Sequence, residues 1–139
     1  MKACKVHGII VVEDIDFSGS FCYPACPAYE RYVELYQNVV KSRRGDPNIG
    51  PRLPALLRKA GAIGVQINVV QPTHIEGEGK LMASITMERI SGAVISEKLV
   101  TKDEVQQIVS ELNNAAADFQ TVMSLPRVFQ VWGKRGTDD

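Results

Sequence analysis

The stretch GIIVVEDIDFSGS, Gly8 to Ser20, runs from an apolar segment straight into Glu13, Asp14 and Asp16. The apolar part is short, β-branched and continuous rather than alternating. It predicts a strand over 8–15 covered on both faces, and so an α/β architecture. Residues 16–27 then read as a loop, broken by Ser18, Gly19, Ser20, Pro24 and Pro27. The acids stand at the carboxyl end of a strand, where open α/β sheets bind ligands. Acids at a strand end also serve as solvated groups or as caps of the next turn, so position alone gives them no role.

Working outward, residues 28–44 predict a helix with Tyr29, Tyr32, Val33, Tyr36 and Val40 on one face. Such a stripe is core more often than substrate cage. Arg43 and Arg44 suit the last turn, and Gly45 ends it. Residues 51–60 predict a second helix, with Pro51 and Pro54 tolerated in its first turn. From Ile63 to Gln71, apolar and polar residues alternate as in a half-buried strand, which Pro72 stops. Residues 80–98 predict a helix that Gly92 weakens. Thr101 to Ala117 and beyond is the strongest helix: TKDE, 101–104, is a capping box, and Val105, Ile108, Val109, Leu112, Ala116 and Phe119 keep register. Residues 127–134 predict a last strand, with Trp132 as sheet core. The order is strand, helix, helix, strand, helix, helix, strand.

The 139 residues suit a single domain, with a polar, flexible tail over 136–139. Sixteen basic residues balance sixteen acidic ones, which argues against nucleic acid and anionic lipid as partners. No apolar run approaches the ~20 residues that span a bilayer. The N-terminus lacks the apolar core of a signal peptide, and three cysteines suit a reducing compartment, so the expectation is a cytoplasmic protein. Cys22 and Cys26 are not spaced as a CxxC pair, and with His7 and His74 the only histidines a zinc site is not expected. They read as small apolar side chains in a loop. EGEGK, 76–80, places Gly-x-Gly before a helix but lacks the third glycine of a dinucleotide fingerprint and the spacing of a P-loop, so it reads as a flexible loop.

GIIVVEDIDFSGS, the aromatic helix, DPNIGPRLPALLRKAG (46–61), IGVQINVVQP (63–72) and RVFQVWGKR (127–135) together resemble the C-terminal half of class I, Rossmann-like S-adenosylmethionine-dependent methyltransferases acting on small molecules. The resemblance covers about Val6 to Arg135. It implies a partial Rossmann-like sheet of three strands, the last antiparallel and inserted between the other two, with about four helices. It also implies an acceptor pocket at the end of the first strand, contacted by Glu13, Phe17, Tyr23 and Tyr29 and overlain by the Tyr29–Tyr36 helix. Asp14 or Asp16 would take the acceptor's proton there.

One departure is large. The family holds its cofactor with a strand, a glycine-rich turn and a second acid, and none of these occurs here. The family's cofactor is S-adenosylmethionine, but this chain alone is expected to bind none and to lack independent catalysis. The start at Met1 would then belong to a remnant, a misassigned start in a longer gene, or a second half alone. The expected partner is a second copy, paired through the exposed edge of the 8–15 strand, or a missing N-terminal half. The alternative to a methyltransferase half is a non-enzymatic, homodimeric interaction or small-molecule-binding module derived from that fold.

Overall fold

The computed structural model describes residues 4–137. In chain order the elements are β1 (Ile9–Asp16), β2 (Cys22–Tyr23), α1 (Pro27–Ser42), α2 (Leu53–Lys59), β3 (Ala62–Val70), β4 (Thr73–His74), α3 (Met82–Ser96), α4 (Lys102–Ala117), β5 (Val122–Ser124) and β6 (Arg127–Arg135). Over the described residues the fold is mixed α/β, with four α-helices and two three-stranded antiparallel sheets. Of the tail over 136–139, residues 138 and 139 lie outside the described residues.

The larger sheet has the order β1–β6–β3, and β6 is antiparallel to both neighbours. The last strand therefore sits between the other two, as the resemblance implied. Val131, at its centre, is fully buried between Val12 and Ile67. Leu53 and Leu57 of α2 cover one face of this sheet, packing on Phe129 and Val131. Gly50, in the short 3-10 turn before α2, lies against the Phe129 ring and the Ile15 carbonyl, and a Cβ there would collide with the ring.

The second core is helical. Leu35 of α1, Met87 and Val94 of α3, and Leu112 of α4 interlock with little or no exposure, and Phe17 joins them. The capping box starts α4 as its sequence dictates: the Glu104 N–H donates to Thr101 Oγ1 at 3.2 Å, and the Thr101 N–H donates to Glu104 Oε2 at 2.8 Å.

Five expectations need correction. β1 is not covered on both faces: Ile9 is 69% and Val11 66% exposed, because among the described residues nothing packs over that half of the strand, although Ile15, further along the same face, meets the helical core. Trp132, directly opposite Val11, shares that open face and is only half-buried, rather than sheet core. The helix from Thr101 stops at Ala117, so Phe119 lies beyond it and is 85% exposed. The loops at 16–27 and 73–79 contain β2 and β4, which pair with β5 in a second sheet, order β2–β5–β4. Strands this short carry no readable period. The alternation over 63–71 is also interrupted: a bulge between Ile63 and Gln66, with Gly64 at φ +60°, turns Ile63 to the open face.

Leu112→Ala should lose about 2–5 kcal/mol of stability in urea unfolding, the cost of a cavity in a closed core. Val11→Thr should stay within about 0.5 kcal/mol, as at a solvated position. A Val11 variant as damaging as the Leu112 variant would mean that the outer face of β1 is covered in solution.

Candidate functional site

Because β1 and β3 are each antiparallel to β6, they are parallel to one another. Their carboxyl ends meet at the edge where β6 begins, with Asp16 opposite Arg127 and Val70 opposite Val128. Three further segments close this edge. The Phe17 N–H donates to the Pro47 carbonyl at 3.0 Å, and the Ser18 N–H to Asn48 Oδ1 at 2.9 Å. Gln71 Nε2 donates to the carbonyls of Gly19 at 2.7 Å and Leu125 at 3.1 Å.

The three acids go to three different places. Asp16 is buried, and its carboxylate is fully engaged. Oδ1 accepts from the Ser18 N–H at 3.2 Å and the Ser18 hydroxyl at 2.5 Å, capping the 3-10 turn 17–19. Oδ2 pairs with Arg127 Nη2 at 2.9 Å. Asp14 is exposed and accepts only the N–H of Ile15, at 2.8 Å, so it keeps lone pairs facing water. Glu13 points to the opposite, open face. It accepts from Gln130 Nε2 at 2.8 Å, and Gln130 Oε1 in turn accepts from Asn68 Nδ2 at 2.8 Å, a polar chain across all three strands.

The aromatic residues gather under the helices. Phe17 stacks on Tyr36 at 3.9 Å between centroids and meets Tyr32 edge-on at 5.7 Å, and Tyr32 meets Tyr29 edge-on at 5.8 Å. Phe17, Tyr29 and Tyr32 are core side chains. The Tyr29 hydroxyl donates to the Ser124 carbonyl at 2.7 Å and so ties α1 to β5. Burial raises the Tyr29 phenol above its ordinary range and raises Tyr32 further. Tyr23 stands apart on β2, 69% exposed.

A cavity of about 230 Å³ opens between β2 and α1, lined by Ser20, Phe21, Cys22, Cys26, Tyr29 and Val33 among others. Tyr29 reaches it, but Glu13, Asp14 and Asp16 do not. Ser20 Oγ is buried without a well-formed hydrogen bond, although it sits near enough to the Tyr29 hydroxyl to favour the phenolate slightly. Burial, reinforced by the neighbouring Cys26 thiol, pushes the Cys22 thiol up to about 11. Lys80 of the EGEGK segment is buried: Nζ donates to the carbonyls of Asp118 at 2.6 Å and Ile75 at 3.3 Å, pinning a 3-10 turn over Glu78–Leu81. Among the described residues no group of three or more His, Cys, Asp or Glu side chains could hold a metal ion.

Sequence reasoning missed Arg127, Gln71, Asn48 and Lys80, which build and close these edges through contacts far apart in the chain. The one local signal was Lys80, a cation beside two glycines and next to an apolar helix. No protein-family model matches the sequence, and no curated protein matches it either.

Two outcomes follow from this geometry. Asp16→Ala should cost roughly 1–3 kcal/mol in denaturant unfolding, because it removes a cap and a charge-assisted bond. The Arg127 partner is 44% exposed, so the pair contributes less than a dry one would. Arg127→Ala should cost less than Asp16→Ala, which loses the cap as well as the pair; the reverse order would mean that a buried Asp16 carboxylate left without its cation costs more than the lost cap. The second outcome concerns alkali. The Cys22, Tyr29 and Tyr32 values are all raised by folding, so their contribution is whole below the ordinary values of 9.0 for the thiol and 10.0 for the phenols. It is lost as pH climbs through the folded values. Urea midpoints should therefore fall from pH 9.0 upward, and Tyr32→Phe should flatten the part of the fall above pH 10.0.

Proposed function

We propose that this chain supplies the acceptor side of a small-molecule S-adenosylmethionine-dependent methyltransferase of Rossmann-like type. The observation that supports this reading best is the sheet order, a last strand antiparallel between two mutually parallel ones, on the sequence segments that resemble that family. The open β1 edge and the exposed face of Ile9, Val11 and Trp132 suit a sheet that continues into further strands and helices. In this reading those come from the donor-binding half, on a longer chain or another subunit.

The described residues do not fit the donor by themselves. β1 runs into a 3-10 turn whose Phe17 and Ser18 N–H groups are taken by Pro47, Asp16 and Asn48, rather than into a glycine-rich turn. The ends of β1 and β3 are closed on each other by Gln71. No methyl-transfer step is therefore assigned to this chain alone. It offers the acceptor an exposed carboxylate, Asp14, placed to take a proton from a hydroxyl or amine. Asp16, Phe17 and Tyr29 would act by shaping the surroundings, whereas Glu13, on the opposite face of the sheet, and Tyr23, apart on β2, would not reach an acceptor held at Asp14. Among the described residues no helix is long and apolar enough to cross a membrane, and the reading places the protein in the cytoplasm.

A second reading is supported by the same free edge: a non-enzymatic module in which two copies pair through β1. Calorimetric titration with S-adenosylmethionine and sedimentation velocity separate the two. The methyltransferase-half reading expects no binding of the donor at millimolar concentration and a monomer. Micromolar donor binding would contradict the statement that the donor site lies elsewhere. A stable dimer without donor binding would favour the module.

A further inference from the structure

Cys22 and Cys26 were expected to be inert loop fillers, but the fold brings them together. Cys22 lies on β2, hydrogen-bonded to β5, and Cys26 is the N-cap residue of the sixteen-residue helix α1. Both line the cavity of about 230 Å³, and both are partly buried rather than sealed. Cys26 also lines a second hollow, together with Pro24 and Thr121. Both thiols are free.

We propose that Cys22 and Cys26 form a dithiol site that reacts with low-molecular-weight disulfides and closes reversibly into an intramolecular disulfide. Cys26 enters first. Cys26 lines two hollows, and it makes no side-chain capping bond that would have to break. Cys22, whose thiol burial keeps protonated at neutral pH, is the resolving partner.

The steps balance. The Cys26 sulfur, having given up its proton, attacks one sulfur of the incoming disulfide. That S–S bond breaks, a mixed disulfide forms on Cys26, and the departing thiolate takes up a proton. Cys22 then loses its proton, and its sulfur attacks the Cys26 sulfur. The Cys22–Cys26 bond forms and the second small thiol leaves protonated. Two cysteine thiols are oxidised and one small-molecule disulfide is reduced to two thiols. The product staples β2 to the start of α1, across the cavity mouth. A reducing compartment would keep the bridge transient, as sensing disulfides are.

The test uses the reduced full chain, incubated with glutathione disulfide at neutral pH, alkylated in acid and examined by intact mass and peptide mapping. The expected product has lost two hydrogen atoms, links the Cys22 and Cys26 peptides, leaves Cys4 alkylated, and reverts with dithiothreitol. In Cys22→Ser, Cys26 should hold one glutathione as a stable mixed disulfide. In Cys26→Ser, Cys22 should stay unmodified. The proposal is overturned if Cys4 acquires glutathione while Cys22 and Cys26 remain alkylated. It is also overturned if Cys22 and Cys26 each carry a separate glutathione without closing. Because the wild-type chain alone gives the main readout, a variant that fails to fold leaves the test intact.

Discussion

The structure depends on the two-sided pairing of β6. This strand is the last element of the fold, and it joins β1, from the other end of the described chain, to β3 from the middle. Without it β1 and β3 are separate strands with nothing to hold their register. With it they become parallel, their carboxyl ends come level, and Asp16 meets Arg127. The sheet cannot assemble until contacts of the greatest sequence separation have formed, and such contacts delay folding. The helical core of α1, α3 and α4 draws on closer segments and has its own buried residues, Leu35, Met87 and Leu112. It can form around those while the sheet waits for β6.

The elements were legible where a single period or a local cap decides them. The TKDE box and the stripe behind it specify α4 down to its hydrogen bonds, and the three long strands were readable from their composition. What escaped the sequence was which side of each element has a partner. Ile9 to Val12 looks the same whether it is covered on one face or two, and here α2 covers only Ile10 and Val12. Trp132 suffers the same ambiguity. The bulge at Gly64 breaks the alternation of β3 without any change in residue type, since Ile63 and Val65 end on opposite faces. β2, β4 and β5 are too short to show any pattern.

The candidate site was legible as a place and not as a set of roles. Glu13, Asp14 and Asp16 do stand at one strand end, but the pleat sends Glu13 to one face and Asp14 to the other, and Asp16 is consumed as a cap. The physical reason is that a carboxylate's value to chemistry depends on what else has already claimed its lone pairs. Ser18 and Arg127 claim those of Asp16, whereas Asp14 is exposed and accepts the N–H of Ile15. The cysteines present the converse case: they looked inert one at a time and acquire meaning only from sharing a cavity. Function in this chain therefore follows from which groups the fold leaves unsatisfied or adjacent, and those are set by long-range pairing.

Native-state amide hydrogen exchange, resolved residue by residue, tests the central role of β6 most directly. The amides around Val131, bonded to neighbours on both sides, should be the slowest in the larger sheet. Along β1 and β3 slow and fast amides should alternate, because only every second N–H meets β6. Exchange at β6 as fast as at β1, or β1 amides that outlast those around Val131, would contradict the placement of the last strand at the centre and the site geometry built on it.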